Sequence, residues 1–463
     1  MEPLTTLSAT QLAQLIRTRQ LSAREVVEAH LDRIDKVNPA LNAVVQRVDR
    51  EELMRQADAA DSMKGPLGPL HGVPITVKDA HQVKGLVCCA GCPGLRAGPA
   101  TEDATVVRRL REAGAIVLGL TNVPELLLNY ESDSSLYGRA NNPHDVTRTP
   151  GGSSGGEGAI LAAGGSALGM ATDAAGSIRV PAHYCGIAGL KPTHGRVPRT
   201  GSVMGDAGGM FSPIATPGPM ARCVDDLALA LSIIAGPDGI DPWAVPVPLG
   251  DPRQVDVGRL RIAYYTHDGL SPATPETIQA VERAARALGN RCLTVEEHQP
   301  AALERTFSLV WETVFLGGDE GEGLEAWLRH LKITEPSPAL IAFRQLSRNL
   351  RLSVAEVRAR FREMDSFRIE MLRAFAPYDA ILCPVMATPA KLHGDGIKEF
   401  KDGTYSMAHN LTGWPVVVVR CGTSPEGLPI GLQVVAKPWR DEIALAVAKE
   451  LESLLGAWAP IKE

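Results

Sequence analysis

The succession of hydrophobic patterns between residues 73 and 119 restricts the fold more than any other part of the chain. An apolar run, Val73-Pro74-Ile75-Thr76-Val77, leads into Lys78. It reads as a buried strand that delivers the lysine at its end. Residues 104–113 then carry a helical pattern, and Ile116-Val117-Leu118-Gly119 reads as a second strand. Strands and helices in alternation bury their apolar faces by stacking in layers, so an α/β layer fold is expected.

The rest of the chain extends the pattern. Residues 8–36 carry two helices, the first capped by Ser8 or Thr10, the second opened by the capping box of Ser22 and Glu25 and ended by Asn38-Pro39. Residues 159–171 are small and apolar and read as a buried helix. Residues 225–235, 275–288 and 443–455 read as helices, and 260–265, 380–384 and 416–419 as strands. Residues 238–257, with their prolines, read as a surface connection, and 303–375 as a charge-rich helical region. No repeat or linker divides the chain, so one domain over 1–463 is expected.

Charge and cysteine content remove whole classes of function. Forty-seven basic and 53 acidic residues leave a net charge of −6. There is no basic stripe with interleaved aromatics, so nucleic-acid partners are not expected. The N-terminus shows no secretory signal. Residues 159–178 have the length of a membrane span but contain Asp173, which reads as a buried segment and not a membrane one. Eight irregularly spaced cysteines point to reduced thiols and a cytoplasmic location. Cys89-Ala90-Gly91-Cys92 has no second ligand pair, so no metal and no cofactor is expected.

The densest chemical signal is Pro150-Gly151-Gly152-Ser153-Ser154-Gly155-Gly156-Glu157. A phosphate-binding loop would continue into Gly-Lys-Ser/Thr, which is absent. A nucleophile elbow is matched literally by Gly151, Ser153 and Gly155, but no apolar strand precedes it. A Gly/Ser-rich turn without chemistry is the third reading. Two distant segments add weight to chemistry. Ser177 lies 24 residues downstream in Thr172-Asp173-Ala174-Ala175-Gly176-Ser177-Ile178-Arg179, and Lys78 lies 75 residues upstream.

These three motifs, in this order and spacing, resemble the amidase signature family. The likeness is close over about 65–235. It resumes at Asn410-Leu411-Thr412-Gly413-Trp414-Pro415 and Leu428-Pro429-Ile430-Gly431-Leu432-Gln433. Between about 240 and 400 it is generic. The resemblance implies an α/β/α sandwich whose central mixed, twisted sheet is covered by helices on both faces. It implies Ser177 as nucleophile, Ser153 as bridging serine after a cis peptide bond from Gly152, and Lys78 as terminal base and acid. Backbone N–H groups of Ala174, Ala175, Gly176 and Ser177 would form an oxyanion hole.

The chemistry is coherent. A serine hydroxyl attacks only when a neighbour takes its proton. A lysine takes it only when neutral, which burial favours. A hydroxyl between them both donates and accepts. Run backwards, the relay protonates the leaving amine. Activity should therefore fall at low pH.

Asp173 and Arg179 are expected to pair and clamp the turn, and Ser154 to hydrogen-bond inside the loop. Ala175 stands where the family usually has glycine, and a requirement for positive φ there would make it a costly change. Leu126, Leu127, Leu128 and Asn129 correspond to the acyl side of the family's pocket. Trp311, Phe315 and Trp327 fall in the variable region at its mouth. His71, His183, His194 and His409 read as ordinary histidines.

Amides of aryl or acyl type are the implied small-molecule substrates, with esters and carbamates reachable through the same kind of tetrahedral intermediate. A homodimer would fit the family. The alternative is an A-type amidotransferase component that hydrolyses glutamine for tRNA-dependent transamidation. An inert scaffold is disfavoured by the intact Lys78, Ser153 and Ser177.

Overall fold

The run before Lys78 is a strand in which every residue is buried. The computed structural model describes residues 3–203, 208–396, 400–456 and 458–461. Its main sheet has eleven strands. In chain order they are β1 (Val44–Arg47), β2 (Pro74–Lys78), β3 (Ile116–Thr121), β4 (Leu168–Asp173), β5 (Ala188–Lys191), β6 (Thr216–Ala221), β7 (Arg261–Tyr264), β8 (Thr294–Glu297), β9 (Ala380–Pro384), β10 (Val416–Thr423) and β11 (Pro429–Ala436). In space they run β1-β3-β2-β4-β6-β5-β10-β11-β9-β7-β8. β2 is parallel to β3 and β4, and β7 to β8 and β9. The other pairs are antiparallel, so the sheet is mixed, as the resemblance implied.

Side-chain alternation along a strand sends successive residues to opposite faces. In β10, Val417 and Val419 join one buried cluster, and Val416 and Val418 the other. Helices Asp441–Leu455 and Pro275–Leu288 supply Ile443 and Leu288 to the first; Arg179–Cys185 and Val354–Ala374 supply Val180 and Phe367 to the second. Each side chain of this size, fully buried, contributes roughly 1.5–3 kcal/mol. The sheet is held between helices by many such contacts.

Two expectations change. The second helix does not end at Pro39 but runs Ala23–Leu41 and stops at Asn42, which is left-handed with φ 46°. The exit is held by Asn38, whose Oδ1 accepts the N–H groups of Ala43 and Val44. Residues 159–171 are not one helix. They divide into the end of helix Gly155–Ala162, a turn through Gly164-Gly165-Ser166, and β4. Small residues on every side erase the period that separates helix from strand.

Ser8 is the cap of the first helix, with Gln11 completing a capping box, while the Thr10 hydroxyl donates to Asp226. The region 303–375 is helical and includes a π-helix, Phe307–Phe315. Among the described residues, no helix is long and apolar enough to cross a membrane.

Candidate active site

Three distant segments converge at the carboxyl ends of the parallel strands β2, β3 and β4, where open α/β sheets form their crevices. Lys78 closes β2 and is fully buried. Its Nζ donates to Ser153 Oγ at 2.7 Å and Thr172 Oγ1 at 2.9 Å, with the Thr172 carbonyl at 3.3 Å. Burial lowers the Lys78 pKa to about 7, against the raising effect of Asp173, Glu157 and Asp79. Burial thus moves the amine toward its neutral form.

The Gly/Ser loop brings Ser153 to the lysine. Gly152 and Ser153 are joined by a cis peptide bond. Gly152 leaves no room for a side chain, since a Cβ there would lie 2.4 Å from the Asn129 carbonyl oxygen. Ser132 ties the loop at two points: its hydroxyl donates to the Gly151 carbonyl at 3.1 Å and accepts the Gly155 N–H at 2.9 Å. Ser154 bonds outside the loop, contrary to expectation. Its N–H donates to the Ser177 carbonyl at 3.2 Å, and its hydroxyl lies 3.5 Å from the Thr172 carbonyl. Helix Gly155–Ala162 begins at the next residue, which turns Ser154 toward β4.

Ser177 stands on the turn between β4 and helix Arg179–Cys185. It is half-buried and shares one cavity with Ser153 and Thr172. Gly176 has φ 114°, and a Cβ there would meet Ser406 Cβ at 2.8 Å, so glycine is required. Ala175 is not among the residues with positive φ, so its methyl group meets no backbone penalty. Its carbonyl accepts the Tyr130 hydroxyl at 2.7 Å.

Asp173 organises the turn. Its carboxylate accepts the Gly176 N–H at 2.8 Å and the Ile178 N–H at 3.1 Å. Arg179 grips it with Nη2 at 2.8 Å and Nε at 2.9 Å, and both side chains are fully buried. Burial opposes the charge on Asp173, but Arg179 and Asn410 outweigh it and hold its pKa well below the usual carboxylate range. Asn410 Nδ2 donates to Asp173 at 2.9 Å, and Gln433 Oε1 accepts from Arg179 at 2.6 Å. These two partners lie in the segments where the family resemblance resumes. That was their only signal in the sequence. Tyr130, Ser132 and Thr172 had no individual signal.

The cavity in front of Ser177 measures about 370 Å³. Leu126, Leu127, Leu128 and Asn129 line it, as do Trp311, Phe315 and Trp327. On the π-helix, Phe307, Trp311 and Phe315 recur every four residues, and Trp311 stacks on Phe315 at 5.2 Å and on Phe400 at 4.1 Å. Arg199 also reaches the cavity, but its guanidinium is held by Asp241 at 3.0 and 3.1 Å. Asn129 Oδ1, Ser202 Oγ and Thr216 Oγ1 are buried there without a hydrogen-bond partner among the described residues.

None of His71, His183, His194 and His409 lines the cavity that holds Ser177. His183 Nδ1 accepts the Gly431 N–H at 2.7 Å, His409 Nε2 lies 3.0 Å from the Tyr265 hydroxyl, and His71 Nε2 lies 3.0 Å from the Ala60 carbonyl. His194 packs its ring edge-on to Trp243 at 5.5 Å. All eight cysteines are unpaired, and Cys89 Sγ donates to Asp79 at 3.3 Å.

Residues 25–445 match the amidase family model, and the chain belongs to that family of hydrolases acting on C–N bonds. Human fatty-acid amide hydrolase 2 is 34% identical over 493 residues, covering 99% of this chain and 90% of that protein. The A-type component of glutamyl-tRNA(Gln) amidotransferase from Salinispora tropica is 33% identical over 498 residues, covering 99% of each. The structure of 6-aminohexanoate cyclic dimer hydrolase is similar with a TM-score of 0.84 at 27% identity, covering 98% of this chain and 97% of that one.

Proposed function

We propose that this enzyme hydrolyses amides of apolar or aromatic character through an acyl-enzyme on Ser177, with Ser153 and Lys78 as its proton relay. The observation that carries the reading is the 2.7 Å contact between a buried Lys78 amine and Ser153 Oγ at the wall of the cavity that holds Ser177. Neutral Lys78 takes the Ser153 proton as Ser153 takes that of Ser177, and Ser177 Oγ attacks the amide carbon. The proton then returns along the same path to the departing nitrogen. Water repeats the cycle on the acyl-enzyme.

The N–H of Gly176 is engaged by Asp173. The oxyanion hole is therefore assigned to the N–H groups of Ala174, Ala175 and Ser177. Donors fixed in advance at that position favour the tetrahedral intermediate over the ground state. Esters and carbamates form the same type of intermediate and belong to the proposed range.

The aromatic wall supports an apolar or aryl group on the substrate. Because Arg199 is paired with Asp241, a neutral substrate fits better than an anionic one.

Strands drawn from residues 44 to 436 into one sheet support a single domain. Unpaired thiols support a cytoplasmic location. A homodimer rests on the family resemblance alone and is tested by sedimentation.

The amidotransferase relative favours a second reading. Purified chain, without partners, is assayed on neutral anilides and acyl amides, and on glutamine with charged tRNA. Turnover of the neutral amides alone supports the hydrolase. Activity only with glutamine and added partner proteins supports the amidotransferase.

A further inference from the structure

Glu157 is a buried carboxyl that the relay does not use. It lies in the first turn of helix Gly155–Ala162 and is fully buried. Three adjacent strands build its seat. Thr76 of β2 and Thr121 of β3 both donate their hydroxyl hydrogens to it, Thr121 at 2.7 Å. On β4, Gly169 clears the space, because a Cβ there would lie 2.1 Å from Glu157 Oε1. Thr76 precedes Lys78 by two residues and so shares its face of the sheet, and Gly169 is the ladder partner of Thr76. The carboxyl group therefore lies on the face of the sheet from which Lys78 projects, at the residue pair before the lysine. An apolar residue would fill this place without the several kcal/mol that burying an ion costs.

We propose that Glu157 and Lys78 titrate as one unit, Glu157 being a positioning residue whose charge sets the pH at which Lys78 becomes the neutral amine of the relay. The inference rests on the relay reading given above. An anionic Glu157 favours the ammonium form of Lys78, and a protonated one releases it. Burial raises the Glu157 pKa to about 7, against the hydrogen bonds from Thr76 and Thr121 and the charge of Lys78. That is where burial also brings Lys78.

The other charged groups near the pair are committed. Asp173, at the end of β4, is held by Arg179, which comes from helix Arg179–Cys185. Asp79, after β2, accepts the N–H groups of Cys89 and Gly91. His81 stays neutral, since burial lowers its pKa to about 4. Helix Ala23–Leu41 packs against the Glu157 helix and brings Arg33, whose Nε donates to the Ala163 carbonyl.

The test is the pH profile of kcat/KM for the full chain on a neutral anilide. In Glu157→Gln the acid limb is expected to move down by about half a pH unit or more, because the anion that favours the ammonium is gone. Thr121→Val, which withdraws a donor from the carboxylate, is expected to move it the same way by less, and it serves if E157Q does not fold. A wild-type infrared titration requires no variant: a buried protonated-carboxyl band is expected to titrate with the same apparent pKa values as activity. An unmoved limb with altered amplitude, or no titrating band, overturns the inference. Lys78→Ala separates the two levels. If it abolishes turnover while E157Q leaves the limb in place, only the role of Glu157 fails; if it keeps wild-type turnover, the relay itself fails.

Discussion

Tyr130 donates its phenolic hydrogen to the Ala175 carbonyl at 2.7 Å, holding the Ser177 turn from outside the turn itself. Both residues are buried, so the bond has no water to replace it. Tyr130→Phe leaves the carbonyl unsatisfied, which costs about 1–3 kcal/mol. Stability measured by urea denaturation is expected to fall by that amount. Displaced oxyanion donors are expected to lower kcat by about tenfold or more with KM less affected. An unchanged kcat would show that the turn holds its shape without Tyr130.

Ala175 occupies a backbone conformation open to any residue. Ala175→Gly is therefore expected to leave kcat/KM within about twofold while losing about 0.4–1 kcal/mol of stability through greater freedom of the unfolded chain. A large gain in activity on restoring glycine would mean that the methyl group crowds the substrate.

Arg179→Met removes the partner of a fully buried carboxylate. Breaking such a pair costs about 3–5 kcal/mol. The pH dependence has a definite sign. Asp173 is depressed in the folded state, so its contribution is present above the ordinary carboxylate value of about 4 and is lost as pH falls below it. Denaturation curves are expected to show the wild type losing stability on acidification and the variant losing less. Equal acid sensitivity in both would place that dependence elsewhere.

Trp327 borders the cavity and is 36% exposed, so its removal tests recognition with little damage to packing. Trp327→Ala is expected to reduce kcat/KM for aryl amides relative to acetamide-sized ones by about 10-fold or more. The ratio of the two rates is the readout. A ratio that does not change would remove Trp327 from the substrate's path.

β2 was legible because it is a continuous apolar run ending in a charged residue, and β9 because it is a short apolar run; both match their expected bounds closely. β6 was not legible. It contains Pro217 and Pro219, which ordinarily argue against an interior strand. β4 pairs with β6 opposite both prolines, whereas β5 pairs only with Met220 and Ala221, so the prolines lie where β6 has a single neighbour. The boundary between helix Gly155–Ala162 and β4 was hidden by glycine and alanine, which carry no period.

At the site, Lys78, Ser153 and Ser177 were marked by motifs. Tyr130, Ser132 and Glu157 were not, because each acts through a contact between segments remote in sequence. Glu157 was visible only within Gly156-Glu157-Gly158, a continuation of the glycine-rich run that resembles stand-alone amidases more than the amidotransferase component. The strands that give it meaning, with Thr76, Thr121 and Gly169, meet only in the folded sheet.

The most direct measurement is the rate at which a fluorophosphonate labels Ser177, followed by peptide mass spectrometry across pH in the wild type and in Lys78→Ala. The expected result is labelling of Ser177 that rises through about pH 7 as the Lys78 ammonium loses its proton. In the variant the rate is expected to fall by about 10²–10⁴ with that rise abolished. Labelling of another residue, or the same curve in both proteins, would contradict the relay.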